Sequence, residues 1–140
     1  MASIVYTVQK TDFLKGEGSL TGDAIKVLLL TSSYTPSAAH DEYQDVSSYE
    51  VSGTGYTSGG QALGSKARTK DDTNDEAYFD STADLTWSGS TITARYAVLY
   101  YTGGDLAQQL ICCIDFGSDQ SSSNGDFTIQ WNSSGILALT

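Results

Sequence analysis

The chain has one proline, one histidine, two cysteines and seven basic side chains among its 140 residues. Each shortage excludes something. Seven bases stand against 17 acids, a net charge of −10, so the surface repels phosphate backbones and no nucleic-acid partner is expected. An anionic membrane surface is excluded on the same ground. Long apolar runs are also missing. The longest, "AIKVLLL" and "LICCI", fall well short of the roughly 18 residues a membrane helix needs. The N-terminal "MASIVYTVQK" has no basic segment followed by an apolar one, so no secretory signal is expected.

The scarce histidine and cysteines limit the chemistry. His40, in "SAAHDEY", lies beside Asp41 and Glu42, but a catalytic triad needs a histidine held by packing and oriented by a carboxylate. No Gly-x-Ser-x-Gly elbow accompanies it, and it reads as an exposed loop histidine. Cys112 and Cys113 are adjacent. On a strand their side chains point to opposite faces, and a disulfide between them would strain the peptide. They read as buried or half-buried thiols of a protein folded in a reducing cytoplasm. No phosphate loop, paired zinc ligands or nicotinamide fingerprint is present, so no cofactor, no metal and no enzymatic activity are expected.

What remains is abundant Tyr (nine) and Gly (14), which suit strands and turns. The length corresponds to one domain over 1–140 that can bury about two-thirds of its unfolded surface. Ser3 to Val8 alternates as a first strand. "KTDFLKGE" follows as a short helix or turn, with Thr11 as N-cap and Gly16 as the stop. Asp23 to Thr31 is the strongest strand, apolar at consecutive positions and therefore covered on both faces. Ser32 to Glu50 reads as a loop with one helical turn near "DEYQDV". Glu50 to Lys70 reads as an irregular strand, a turn at Gly59-Gly60 and a second strand ending at Lys70. Strands follow through Ala77 to Phe79 and Asp84 to Trp87. Then come a hairpin with arms Thr91 to Tyr101 and Leu106 to Phe116, a polar connection over Ser118 to Asp126, and a closing hairpin, Asp126 to Trp131 with Ile136 to Leu139. The expected fold class is all-β: a single-domain antiparallel β-sandwich or partly open barrel of about eight strands, with at most one or two short helical turns.

Three groups of residues are candidates for binding. "KARTK" places Lys66, Arg68 and Lys70 on one face of a strand, a basic ridge suited to an acidic partner or to guarding an edge strand. Asp72, Asn74 and Glu76 alternate as calcium ligands do. Ala77 stands where a calcium loop wants Gly, however, and Ala83 where it wants a bidentate Glu, so a solvated turn is the plainer reading. The aromatic residues of the strands read as core, some of them able to stack on a sugar ring. "NSS" at Asn132 fits a glycosylation sequon that a cytoplasmic chain does not use.

The order and spacing of several segments resembles a widespread family of small virion proteins of tailed bacteriophages. These segments are "IVYT", "FLKG", "DAIKVLLLTSSYT", "EVSGTGYTSGGQAL", "DDTNDEAYFD", "LTW", "AVLYY", "LICCIDFG" and the terminal "NGDFTIQWNSSGILALT". The resemblance covers nearly the whole chain. It departs at "ARTK", where relatives carry a plainer Thr-Val segment. It implies a non-enzymatic structural protein of the virion, made in the host bacterial cytoplasm. The foremost expectation is a capsid decoration or cement protein that binds the major capsid protein on the outside of the head in many copies. A homo-oligomer, with a trimer favoured, is expected, and Lys66, Arg68 and Lys70 are the docking candidates. The alternative is a tail- or fibre-associated module that binds a host cell-surface glycan. A small glycan hydrolase would need two carboxylates about 5 to 10 Å apart in a cleft.

Overall fold

Strand β2 (Ile25–Leu30) sorts its side chains by parity. Ile25, Val27 and Leu29 belong to one buried cluster, Leu28 and Leu30 to another. Strand β7 (Thr93–Tyr101) does the same: Ala97, Leu99 and Tyr101 join the first cluster, Tyr96, Val98 and Tyr100 the second. A strand pair that is apolar on both faces must be covered on both. In the computed structural model, which describes residues 2–140, it is.

The two strands lie in a five-stranded antiparallel sheet. Its order is β1 (Ile4–Val5), β8 (Leu110–Ser121), β7, β2 and β3 (Gln61–Ala62). Two smaller antiparallel sheets supply residues to the first cluster. One is β10 (Leu137–Leu139), β5 (Glu76–Ser81) and β4 (Lys66–Asp71); the other is β6 (Leu85–Ser90) with β9 (Gly125–Ile129). Phe79, Leu85, Trp87, Phe127, Ile129, Ile136 and Leu137 pack there with the large sheet. Tyr6, Tyr34 and Val46, from the segments before and after β2, pack in the second cluster. The fold is an all-β sandwich of three antiparallel sheets with no closed barrel among the described residues. Ten strands form among the described residues, two of them of only two residues, against about eight expected. The irregular strand expected after Glu50 does not form: Glu50 makes only an isolated bridge to Leu30, and segment 52–60 is loop.

The adjacent cysteines follow the same parity. Both are free and buried, Cys112 in the first cluster and Cys113 in the second. Burial pushes both thiols up, Cys113 to about 12, so both remain protonated near neutral pH.

Four further sequence expectations are corrected. The first strand is only Ile4–Val5, and helix α1 (Thr7–Lys15) begins inside the segment read as its second half. Tyr6 turns the chain: it is fully buried, and its hydroxyl lies 3.1 Å from that of Tyr34. Thr11 is therefore inside the helix, its hydroxyl on the Thr7 carbonyl at 3.1 Å, and caps nothing. Gly16 does end the helix, in a left-handed conformation with its N–H on the Asp12 carbonyl. Second, the turn joining β7 to β8 is wider than "TGGD", since β8 starts at Leu110. Third, β8 runs on to Ser121 through residues read as a connection. A bulge lets it do so: Tyr96 opposes Asp115 but Ala94 opposes Gln120.

The fourth correction concerns the chain's end. The closing segments do not form a hairpin. β9 pairs with β6 and β10 with β5, in different sheets. Gly135 makes the crossing possible, because at φ +87° its Cα passes so near the Phe79 carbonyl that a Cβ would stand 2.9 Å from that oxygen. The helical turn near "DEYQDV" does form, as α2 (Tyr43–Val46) followed by a 3₁₀ turn at Ser47–Tyr49.

A glycine contrast tests how tightly the edge of β2 is packed. Gly60 sits at φ +82°, and a Cβ there would lie 2.0 Å from the Val27 carbonyl oxygen, whereas nothing lies within 4 Å of a Cβ at Gly64. Gly60→Ala is expected to lower the unfolding free energy by about 2–4 kcal/mol, and Gly64→Ala to change it by about 0.5 kcal/mol or less. Urea unfolding of both variants checks this, and equal midpoints would contradict the packing.

Candidate functional site

Strand β4 carries the basic ridge and forms one edge of its sheet. Its register sets Lys66 opposite Ser81, Arg68 opposite Phe79 and Lys70 opposite Ala77, so the three bases share one face as their alternation requires. They do not act alike. Lys66 is half-buried, and its ammonium donates to the Asp23 carbonyl. Lys70 pairs with Asp72 at 2.8 Å, but both side chains are more than three-quarters exposed and water screens the pair. Arg68 is exposed, and its guanidinium makes no hydrogen bond or ion pair among the described residues. It borders a cleft of about 320 Å³ between α1, the segment after it, and the β4–β5–β10 sheet.

The acidic turn at the tip of the β4–β5 hairpin is organised by Asp71. Its carboxylate accepts the backbone N–H groups of Thr73 (2.9 Å) and Asn74 (3.2 Å) and the Asn74 amide (2.8 Å). These bonds, the Asn74 amide foremost, hold it below the usual carboxylate range. Asp72 is turned to Lys70. The Asn74 amide is bound to Asp71 and Asp72 to Lys70, so two of the three alternating residues, Asp72 and Asn74, are engaged elsewhere.

His40 is half-buried rather than exposed. Its Nδ1 lies 2.9 Å from the Tyr34 hydroxyl, which in turn meets Tyr6, so the ring ends a buried hydroxyl chain. The Asp45 carboxylate is committed to the backbone N–H groups of Asp41 (2.9 Å) and Glu42 (3.0 Å). Most aromatic rings serve the interior. Trp87 and Phe127 are buried, and half-buried Trp131 donates to the Ala83 carbonyl at 3.0 Å. Tyr49 is the one exposed aromatic among the described residues.

Glu50 is the polar residue that sequence reasoning missed. One carboxylate oxygen accepts the Tyr56 hydroxyl (2.7 Å) and the Gly59 N–H (2.6 Å), the other the hydroxyls of Tyr43 (3.0 Å) and Ser58 (3.2 Å). The network extends into the sheet. Tyr56 accepts the Leu29 N–H at 3.1 Å, and Tyr100 donates to the Gly59 carbonyl at 2.6 Å. Burial raises the Tyr56 phenol and takes that of Tyr100 to about 12, so both hydroxyls keep their protons as donors. Glu50 thus ties the glycine-rich segment 52–60 to the edge of β2. The spacing of Tyr43, Tyr56 and Ser58 follows no period that the sequence displays.

A second anchor holds the β8 bulge. Asp115 accepts Arg95 through Nε (3.1 Å) and Nη2 (3.4 Å) and the Gly117 N–H (2.8 Å). Those bonds, Arg95 first, hold its carboxyl below the usual range. Comparison of the chain with protein families, with curated proteins and with solved structures finds no match.

Two predictions test these networks. Glu50→Gln turns one acceptor into a donor facing other donors and is expected to lower stability by about 1–3 kcal/mol by chemical denaturation. A loss below experimental error would show that Glu50 is not the tie. The second concerns pH. The folded carboxyl of Asp115 titrates below its unfolded counterpart, so its contribution is complete above the unfolded value of 3.8 and is lost as the pH falls through the lower folded value. Asp115→Asn is therefore expected to be less stable than wild type at neutral pH, with the difference shrinking as the pH drops below about 4. A difference unchanged to pH 2 would contradict the assignment.

Proposed function

We propose that the chain is a non-enzymatic structural module of a tailed-phage virion, and specifically a capsid decoration or cement protein that binds the outside of the head in many copies. The observation that carries this reading is the edge strand β4. Its exposed Arg68 and weakly paired Lys70 form a basic strip on a chain of net charge −10. Such a strip steers association with an acidic partner. An unpaired edge can also add main-chain hydrogen bonds to another strand. Two other side chains singled out by the sequence are tied into the fold, Lys66 to Asp23 and His40 to Tyr34.

The partner in this reading is the major capsid protein, and a symmetric homo-oligomer, a trimer in the simplest case, multiplies a contact of order 1,000 Å² by avidity. The protein would be made in the host bacterial cytoplasm and reside in the virion. The alternative, a tail- or fibre-associated glycan-binding module, has exposed Tyr49 as its candidate stacking residue.

The test is stoichiometry combined with charge reversal. Quantitative mass spectrometry of purified particles is expected to give hundreds of copies, in fixed ratio to the major capsid protein. Copy numbers of a few dozen or fewer would favour the tail alternative, and absence from particles would end both. Arg68→Glu with Lys70→Glu is expected to weaken binding to undecorated heads about tenfold or more at low salt, mainly through the association rate. Unchanged binding would remove β4 as the docking edge.

A further inference from the structure

Resting on the reading of β4 as the docking edge, we propose that this edge accepts an extended segment of a different polypeptide. The segment adds as a further strand and sets two acidic side chains, spaced by one residue, beside Arg68 and Lys70. The direction of the main-chain groups decides what the edge can bind. In an antiparallel pair, opposed residues alternate between those that exchange both main-chain hydrogen bonds and those whose N–H and C=O point away from the partner. Ser65 and Thr82 are of the first kind, because the Thr82 N–H donates to the Ser65 carbonyl at 3.0 Å. Continuing from them, Ala67 with Asp80 and Thr69 with Tyr78 bond across the ladder, so Lys66, Arg68 and Lys70 turn their main-chain groups away from β5. The facing strand agrees: the Phe79 carbonyl, opposite Arg68, turns away from β4 and accepts the Ile136 N–H at 2.7 Å. β4 is the last strand of its sheet, and no main-chain bond outside the ladder engages Arg68 or Lys70 among the described residues. Lys66 is half-buried and held by the Asp23 carbonyl, whereas residues 68–70 are all exposed. The open stretch therefore offers the N–H and C=O groups of Arg68 and Lys70.

The same two residues that offer main-chain groups carry the charge. A residue paired beside Arg68 in an added strand, parallel or antiparallel, has its side chain on the face of the guanidinium, and the next residue on that face lies beside Lys70. Arg68 has no ion pair, and the exposed pair of Lys70 with Asp72 is readily exchanged for another carboxylate. Two carboxylates at alternate positions answer both. The residue between them lies beside Thr69 on the opposite face, where a β-branched side chain fits a strand. Asp71, Asp72, Asp75 and Glu76 gather at the hairpin tip, so a third acid continuing the alternation toward that tip is repelled. The recognised pattern is therefore acidic, β-branched, acidic. A second copy cannot supply it. The 17 acids of this chain include no two separated by a single residue, and β4 itself repels β4. The occupant is a different polypeptide, bound through main chain and charge together.

The test uses the intact chain and the peptide acetyl-Thr-Val-Glu-Val-Glu-Val-Thr-amide. In the free protein the Arg68 and Lys70 amides are expected to be about tenfold or more less protected from hydrogen exchange than the Thr69 amide. The reverse order would overturn the proposal at its first step. In ¹H–¹⁵N spectra at low salt, the peptide is expected to shift Arg68 and Lys70 saturably and to slow the exchange of both amides. Replacing both glutamates by glutamine is expected to weaken binding about tenfold or more. Methylating the two glutamate nitrogens removes the donors of an antiparallel added strand, and methylating the valines that follow them removes those of a parallel one, with charge unchanged in both. One of the two methylated peptides is expected to bind about tenfold or more weakly than the parent, and which one reports the direction. Equal binding of the parent and both methylated peptides would show attraction by charge alone and overturn the strand addition, as would no shift at Arg68 and Lys70. Equal binding of the glutamine peptide would overturn the acidic pattern. Undecorated heads separate this result from the virion reading: heads that bind the chain while the peptide fails sink the added strand only, and a peptide that binds while heads fail sinks the head reading only.

Discussion

The structure depends on burying a sheet from both sides. Strands β2, β7 and the first half of β8 place large apolar groups at consecutive positions: Leu28, Leu29 and Leu30; Val98, Leu99 and Tyr100; Ile111, Cys112, Cys113 and Ile114. Each large apolar side chain removed from water contributes about 1.5–3 kcal/mol, so neither face can be left wet without forfeiting much of the marginal stability of a small domain. One sheet alone cannot meet this demand. The chain answers with two unequal covers, small sheets on one side and the irregular segments around β2, with α2, on the other. Segments with little regular structure of their own are thereby fixed by what they must cover.

Irregular cover needs ties, and here the acidic composition acquires a structural use. Glu50, Asp45, Asp71 and Asp115 each accept backbone N–H groups that a loop, helix start or bulge leaves unpaired. A carboxylate can accept several such bonds at once, and bonds to an ionised acceptor are stronger than neutral ones. Part of the excess of 17 acids over seven bases therefore belongs to the fold and not only to solubility. Arg95 is the one base drawn into this work, on Asp115, with its guanidinium carbon 5.5 Å above the Tyr96 ring.

The parts legible in sequence were those governed by local periodicity. Consecutive apolar positions identified β2 as covered on both faces, alternation separated Cys112 from Cys113, and Gly16 marked the end of α1. What escaped was set by distant partners. Thr7 starts a helix because Tyr6 is drawn into the buried cluster with Tyr34, 28 residues away in the chain. The segments after Asp126 look like a hairpin because a turn separates two apolar stretches, but each finds a better partner in an earlier strand, β6 or β5. Glu50 gave no signal, since its donors come from Tyr43, Tyr56, Ser58 and Gly59, and only the fold brings them together. Among the proposed docking residues, alternation placed Lys66, Arg68 and Lys70 on one face, but only the Asp23 carbonyl separates Lys66 from the other two.

That separation bears on how a basic edge can exist on so acidic a molecule. Charge on an edge strand keeps identical sheets from joining edge to edge, because two copies of β4 present like charges to each other. The same strip is attracted to the acidic remainder of another copy, or to any acidic partner. Repulsion between edges and attraction between unlike surfaces together disfavour an isologous strand-to-strand dimer and favour a head-to-tail contact, which closes into a ring when its rotation allows. The proposed binding to the phage head draws on the second of these terms, with Arg68 as the charge left free to meet an acidic partner.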